Sequence, residues 1–461
     1  MLANIRKVAS LGVLATGLTT LRAVLVLPLL GPEQLGIWKT VMLLMPAIGL
    51  LRLAISTGMV LRVPFYLGAG DNRQAARLTT AAGLAQVGNG LVFALGTACA
   101  ALWVSDPRRR VALLAMAAVL LLSQLHNYLR DVIIAHRDFD VRSRGLLLAA
   151  LCDCVFSLAL ASRFGLAGLG IGTAIGFAVP AWYLWRNLPQ LARPRWDPPA
   201  WRELWITGWS SAAADTGAVL LRYVDVAMLA ALAPPQLVGL YALSQMILDL
   251  SVHLTRISLG EVVTPELTHL SSRAPLREVA GALRRPLRLV SLALPPCLLL
   301  GALLLPYAVG AFLPAYSQGV NAATIMLLST FFVALQAIVQ PYLALAGRTI
   351  SLARLTLLLL PVLTLAQFAA WKAGLGLAGV AALSVLSSAA LSVASLFWAG
   401  RAEGLSRSGA VRQLVAIFIA PLRPWLAAPH APAPPNNLNA LPAAHAPFPP
   451  APRPYQRTFT G

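Results

Sequence analysis

Charge is scarce in this chain. Of its 461 residues, 11% are Asp, Glu, Lys or Arg, against about 25% in soluble globular proteins. The shortage falls on the acids, with 16 Asp and Glu facing 36 Lys and Arg, and lysine itself is nearly missing: Lys7, Lys39 and Lys372 are all there is. A surface this poor in charge excludes an ordinary soluble enzyme. Cysteine is equally thin. Cys99, Cys152, Cys154 and Cys297 lie in apolar stretches, and the 152/154 spacing sends that pair to different helix faces, so neither a disulfide framework nor a zinc site is expected. Also missing are HExxH, a Walker loop and a GxSxG elbow. No catalytic residues, no metal and no bound cofactor are assigned. Any work the protein does must draw on an ion gradient (a coupling proton or sodium ion), the membrane potential or removal of a product.

What the chain has is apolar length. Fifty-eight per cent of the residues are hydrophobic and the mean hydropathy is +0.74. A bilayer span needs about 20 such residues, and apolar runs set against charged or Gly/Pro punctuation predict twelve: 8–30, 36–60, 78–104, 111–134, 145–162, 166–185, 204–232, 237–258, 286–313, 320–345, 352–371 and 376–400. The first continues past Arg22 without a small-x-small cleavage site, so it reads as a retained span and not a signal peptide. The expected fold class is an all-α polytopic membrane protein.

The net charge of +20 would point to nucleic acid in a soluble protein. In a membrane protein it marks cytoplasmic loops, and no nucleic-acid partner is expected. With both termini inside, 26 basic residues fall in inside segments, five in outside loops (Arg108, Arg109, Arg110, Arg163 and Lys372) and five within spans (Arg22, Lys39, Arg52, Arg130 and Arg222). That asymmetry supports an even number of helices in a plasma membrane, with one local exception at Asp106 to Arg110. The inside segment 259–285 is a candidate surface helix. From Pro421 to Pro454, twelve of 34 residues are proline, a composition that cannot pack a core.

The sequence also repeats. Gly31-Pro32-Glu33-Gln34-Leu35-Gly36-Ile37-Trp38 aligns without a gap on Pro234-Pro235-Gln236-Leu237-Val238-Gly239-Leu240-Tyr241 at an offset of 203 for the Pro and second Gly positions. A second echo joins His136-Arg137-Asp138-Phe139 with Gly347-Arg348-Thr349-Ile350. Each lies six helices from its copy, so a duplicated six-helix unit is expected, with the halves related by a pseudo-two-fold along the membrane normal. The expected division is 1–200 for the first lobe, 201–405 for the second and 406–461 for a disordered tail.

These turns, the loop Phe65-Tyr66 to Arg77 and the His136 to Phe139 stretch resemble the polysaccharide and O-antigen flippases of the multidrug/oligosaccharidyl-lipid/polysaccharide (MOP) exporter superfamily. The resemblance covers roughly residues 5–400. It implies a monomer moving an undecaprenyl-diphosphate-linked oligosaccharide from the cytoplasmic to the periplasmic leaflet by alternating access. It also implies service to O-antigen, capsule or exopolysaccharide synthesis beside a polymerase and chain-length machinery. A drug/cation antiporter of the same superfamily is the alternative, ahead of a membrane-embedded polymerase or ligase. The latter should carry a long outside loop.

Translocation breaks no bond but must carry a diphosphate through hydrocarbon, which calls for cations inside the bundle. Arginine's planar fork suits phosphate. Arg22 and Arg52 sit deep in the first two spans, and they look like counterparts of cavity arginines in the related lipid II flippases. Thr207, Ser211, Asp215 and Arg222 recur at four, four and seven residues and share a helix face. An Arg222/Asp225 ion pair is the expected resting place of Asp225, which leaves Asp215 as the candidate coupling carboxylate, with Asp249 and Asp153 competing. Ser123, Asn127 and Arg130 form a stripe suited to sugar, and Gln336 and Gln340 offer amides in the other half. Lys39 is expected to anchor at the outer interface.

Overall fold

In a computed structural model, the structure describes residues 2–136, 138–188, 197–255, 267, 270–271, 276–402 and 408. Among these there is no strand. The helices are α1 (Leu2–Met42), α2 (Leu44–Gly68), α3 (Asn72–Leu102), α4 (Pro107–Ala135), α5 (Phe139–Arg186), α6 (Pro198–Leu232), α7 (Pro235–Thr255), α8 (Leu276–Phe312), α9 (Val320–Leu345), α10 (Thr349–Lys372) and α11 (Gly376–Ala402), with a 3-10 turn at Pro314–Gly319. Two of these helices are really more than one. Gly31 (φ 71°, ψ 169°) breaks α1, and Gly165 (φ 57°, ψ −129°) breaks α5, backbone angles that a side chain disfavours. The second segment of α1 runs on toward α2, so the described residues make twelve helical segments, and nine of their helices are long and apolar enough to cross a membrane.

The scarce carboxylates mark where helices begin. Asp71, Asp106, Asp138 and Asp197 each accept a hydrogen bond from a backbone N–H in the first turn of the helix that follows, relieving one of the unpaired donors there. Asp106 also explains the local charge exception. It pairs with Arg109 at 3.4 Å, Arg108 reaches Glu33 at 3.1 Å, and Arg110 donates to the carbonyl of Val104. The three arginines are thus tied to neighbouring turns.

Glycine sets how closely the spans approach. Across Gly165, Gly168, Gly172 and Gly176 form a stripe on which a Cβ would collide with Leu160, Ser157 and Asp153 of the preceding segment, so α5 folds into a tight antiparallel hairpin. The sequence repeat meets itself in space. A Cβ on Gly36 would strike the carbonyl of Pro235, and one on Gly239 the carbonyl of Pro32. This reciprocal contact is what a two-fold relation between the copies requires. The aromatics that close each copy, Trp38 and Tyr241, are both buried. At this end Tyr316 also donates to the carbonyl of Leu27 at 3.0 Å. Toward the opposite end Gly58 lies against Leu204 and Gly208 against Ala54, clamping α2 to α6. Beyond it, Arg62 reaches Glu203 and Thr207, Tyr66 donates to Glu203 at 2.9 Å, Arg77 pairs with Asp197, and Trp201 donates to the carbonyl of Ala81 at 2.7 Å.

The largest apolar cluster joins α1, α4, α5, α7 and α9 around Trp38, Leu243, Tyr316 and Val320, so the core runs through the repeat contact. Most of the 259–285 surface-helix expectation lies outside the described residues, as does the Pro-rich tail from 421.

Candidate functional site

Three polar clusters lie inside the apolar bundle. The first is built on the α5 hairpin. Gly172 and Gly176 bring the two segments close enough for Asp153, Ser157 and Thr173 to face one another, and Arg22 of α1 reaches all three: Nη2 lies 2.8 Å from Thr173 Oγ1, 3.5 Å from Ser157 Oγ and 3.4 Å from Asp153 Oδ1. Ser157 in turn donates to Asp153 at 2.8 Å. The Nε of Arg22 is buried and has no partner among the described residues. A substrate cation expected from sequence and a coupling carboxylate expected from sequence therefore occupy the same place.

The second cluster couples α2 to α4. Asp131, almost fully buried, accepts from Ser56 and from Arg130, whose Nη2 stands 3.0 Å away. The guanidinium of Arg52 sits in the attractive field of Asp131 and the repulsive field of Arg130. Arg130 holds the carboxylate, and Arg52 lies within electrostatic reach of both charges. Asn127 is half-buried one turn from Arg130, while Ser123 is buried and bonds the carbonyl of Leu120. Of the predicted sugar stripe, Arg130 joins Arg52, and Ser123 belongs to the packing. Gln336 is half-buried and Gln340 exposed.

The third cluster was not legible. Asp225, 1% exposed, does not pair with Arg222 among the described ion pairs, contrary to expectation. Its Oδ1 accepts from Gln245 Nε2 at 2.7 Å and from the Val226 N–H at 2.7 Å; its Oδ2 accepts from Tyr241 Oη at 2.6 Å and from Ser384 Oγ at 3.0 Å. Three side-chain donors from α7 and α11 and one backbone N–H of α6 itself stand where the arginine was expected. Gln367 donates to Ser384 at 3.0 Å. With their amide groups committed in this sense, Gln245 Oε1 and Gln367 Oε1 are buried and have no donor among the described residues, a costly arrangement for bare acceptors. Tyr241 and Gln245 lie four residues apart and share a face of α7, the only sequence signal that could have drawn attention here.

Asp215 is exposed and has an interaction of its own. Arg222 is half-buried, and its backbone carbonyl accepts from Gln245. Asp249 and Lys39 act on one another electrostatically, with Arg22 opposing. No group of three or more His, Cys, Asp or Glu able to hold a metal occurs among the described residues.

Residues 28–318 match a family model described as a polysaccharide biosynthesis protein. No curated protein matches the chain. Among solved structures, the chain is similar to the inward-facing conformation of a multidrug resistance MATE family transporter of the MOP superfamily. The identity is 12%, over 86% of this chain and 94% of that one, with a TM-score of 0.67. A MATE in complex with MaD3S gives 0.61 at 13% identity, over 87% and 95%. An outward-facing MATE of the MOP superfamily gives 0.60 at 12% identity, again over 87% and 95%. At such identities the likeness is one of fold.

Proposed function

We propose that this chain, which belongs to the polysaccharide biosynthesis protein family, translocates a lipid-linked oligosaccharide from the cytoplasmic to the periplasmic leaflet of a bacterial plasma membrane, with both termini cytoplasmic. The observation that carries the reading is Arg130 paired with the buried Asp131, with the second cation Arg52 within electrostatic reach of both. An uncompensated cation inside a membrane bundle is expensive, and a diphosphate brings the charge that relieves it. Arg22, bound to Asp153 through only part of its fork, is the second contact: an arriving phosphate competes with Asp153 for the same guanidinium. Arg222 and Asn127 extend the path for the sugar. The lobes 1–200 and 201–405 would rock about the reciprocal glycine contacts.

Coupling, in this reading, belongs to Asp225 ahead of Asp215, Asp249 and Asp153. A buried carboxylate flanked by two donorless amide oxygens offers three acceptors to a proton or sodium ion, and binding there would alter how α6, α7, α10 and α11 pack. The same site gives the antiporter alternative its best support, since cation coupling serves either cargo. The arginine clusters favour an anionic one. The polymerase reading is weakened by outside turns as short as 233–234 and 373–375.

The test is transport of a fluorescent undecaprenyl-diphosphate-linked sugar in vesicles. Arg52→Ala and Arg22→Ala should each slow transfer about tenfold or more, the scale of one lost charge-assisted contact, while inserting normally. Wild-type rates in both would remove the diphosphate contact.

A further inference from the structure

The cytoplasmic third of α8 carries a charge cluster that the proposed translocation path does not use. One face of this helix packs inward: Val279, Ala280, Leu283 and Leu287 are buried against Leu335, Ile338 and Tyr342 of α9. The opposite face is exposed along its length. It begins with Arg284, Arg285 and Arg288 around Gly281, three guanidiniums within five residues, and continues as Leu289, Leu292, Leu299, Leu300, Leu303, Leu304 and Tyr307. Arg284 has a further interaction within the chain; Arg285 and Arg288 make no ion pair among the described residues. Between them lies a groove of about 600 Å³ lined by Gly281, Arg284, Arg285, Arg288, Leu289 and Leu292. There is room beside position 281: a Cβ there would meet nothing within 4 Å.

Dimensions tie this face to a lipid. Nineteen residues separate Arg288 from Tyr307, and at 1.5 Å per residue they cover about 28 Å, close to the roughly 30 Å hydrocarbon core. The arginines therefore stand at one headgroup layer, the tyrosine at the other, and the leucines between. A single-phosphate headgroup would be matched by one arginine. Arg285 and Arg288, forked and on one face, fit two linked phosphates, and the leucine stripe that leaves the groove runs where a long isoprenoid tail would lie.

We propose that this face of α8 is a loading site for the polyprenyl-diphosphate carrier, occupied from the cytoplasmic leaflet before the head group enters the bundle. The site rests on the flippase reading for its orientation and its occupant. A lipid-borne cargo meets the outside of the protein first, so a diphosphate-selective contact there raises its local concentration beside the path.

The experiment places a photo-crosslinking amino acid at Leu289 and irradiates the full-length protein in phosphatidylethanolamine/phosphatidylglycerol vesicles holding radiolabelled undecaprenyl diphosphate. A labelled adduct is expected. The double variant Arg285→Ala/Arg288→Ala should reduce it about tenfold, and Gly281→Trp, which fills the groove and keeps every charge, should do the same. Unlabelled undecaprenyl diphosphate should compete, and a similar excess of cardiolipin should not. An adduct that survives both variants, or equal competition by cardiolipin, overturns the loading site and leaves an ordinary anionic-lipid surface. The companion variant Arg22→Ala/Arg52→Ala should lose translocation and keep the adduct. A diphosphate-selective adduct in a wild-type protein that does not translocate upholds the site and sinks the flippase reading. Full translocation with no selective adduct does the reverse.

Discussion

At the scale of single residues, buried charge is what distinguishes this chain from any apolar bundle. Arg22 and Arg52 were legible because a guanidinium in the middle of an apolar run is costly wherever it folds. Their surroundings were not: Asp153, the partner of Arg22, lies 131 residues away, and Asp131, whose charge acts on Arg52, lies 79 away, and no local spacing reports such neighbours. Asp225 was misread for the related reason that Arg222, three residues away, is the visible partner. Its true donors come from 16, 20 and 159 residues off. Asp225→Asn keeps the size and should remove the dependence of transport on the imposed proton or sodium gradient, while residual exchange of substrate between leaflets continues. Transport that still follows the gradient would return the coupling role to Asp215 or Asp249. Asp131→Asn, in contrast, leaves Arg130 without its carboxylate and Arg52 without the nearby negative charge. It should lower thermal stability, by about 3 kcal/mol or more if no other anion enters, and added undecaprenyl diphosphate should restore part of the loss.

Among the helices, glycine placement decides the geometry. The repeat could be read from sequence because its Gly and Pro positions coincide at one offset, and those same atoms make the contact between copies. The corner at Gly165 was equally plain as a gap between two apolar runs. What sequence periodicity does not reveal is closeness: nothing local marks Gly36 as pressed against a carbonyl and Gly49 as open. Gly36→Ala or Gly239→Ala should therefore destabilise the protein by at least ~1 to 3 kcal/mol through overpacking against backbone. Gly49→Ala, where a Cβ meets nothing within 4 Å, should be neutral or slightly stabilising. Thermal denaturation in detergent measures both. Equal melting temperatures for the Gly36 and Gly49 variants would mean that the repeat contact is looser than described.

For the whole molecule, the all-helical fold was the most legible feature, because a succession of long apolar runs is a property of the entire chain and tolerates local error. The ends of the spans moved by several residues, mainly where Asp caps start a helix earlier than the apolar run does, as at Asp71 and Asp197. Orientation is open to direct test: with cysteine-free protein, a cysteine at Arg110 should react with an impermeant thiol reagent added outside intact cells, and one at Arg142 should react only after permeabilisation. Removal of residues 421–461 should leave transport intact. Cargo is the central question at this scale, since the fold serves superfamily members that carry different solutes. The decisive measurement is uptake by purified wild-type protein in sealed vesicles, comparing an undecaprenyl-diphosphate-linked sugar with a lipophilic organic cation under the same imposed gradient. The account predicts transfer of the diphosphate-linked sugar between leaflets and no accumulation of the cation; gradient-driven movement of the cation with the sugar lipid left in its original leaflet would contradict it.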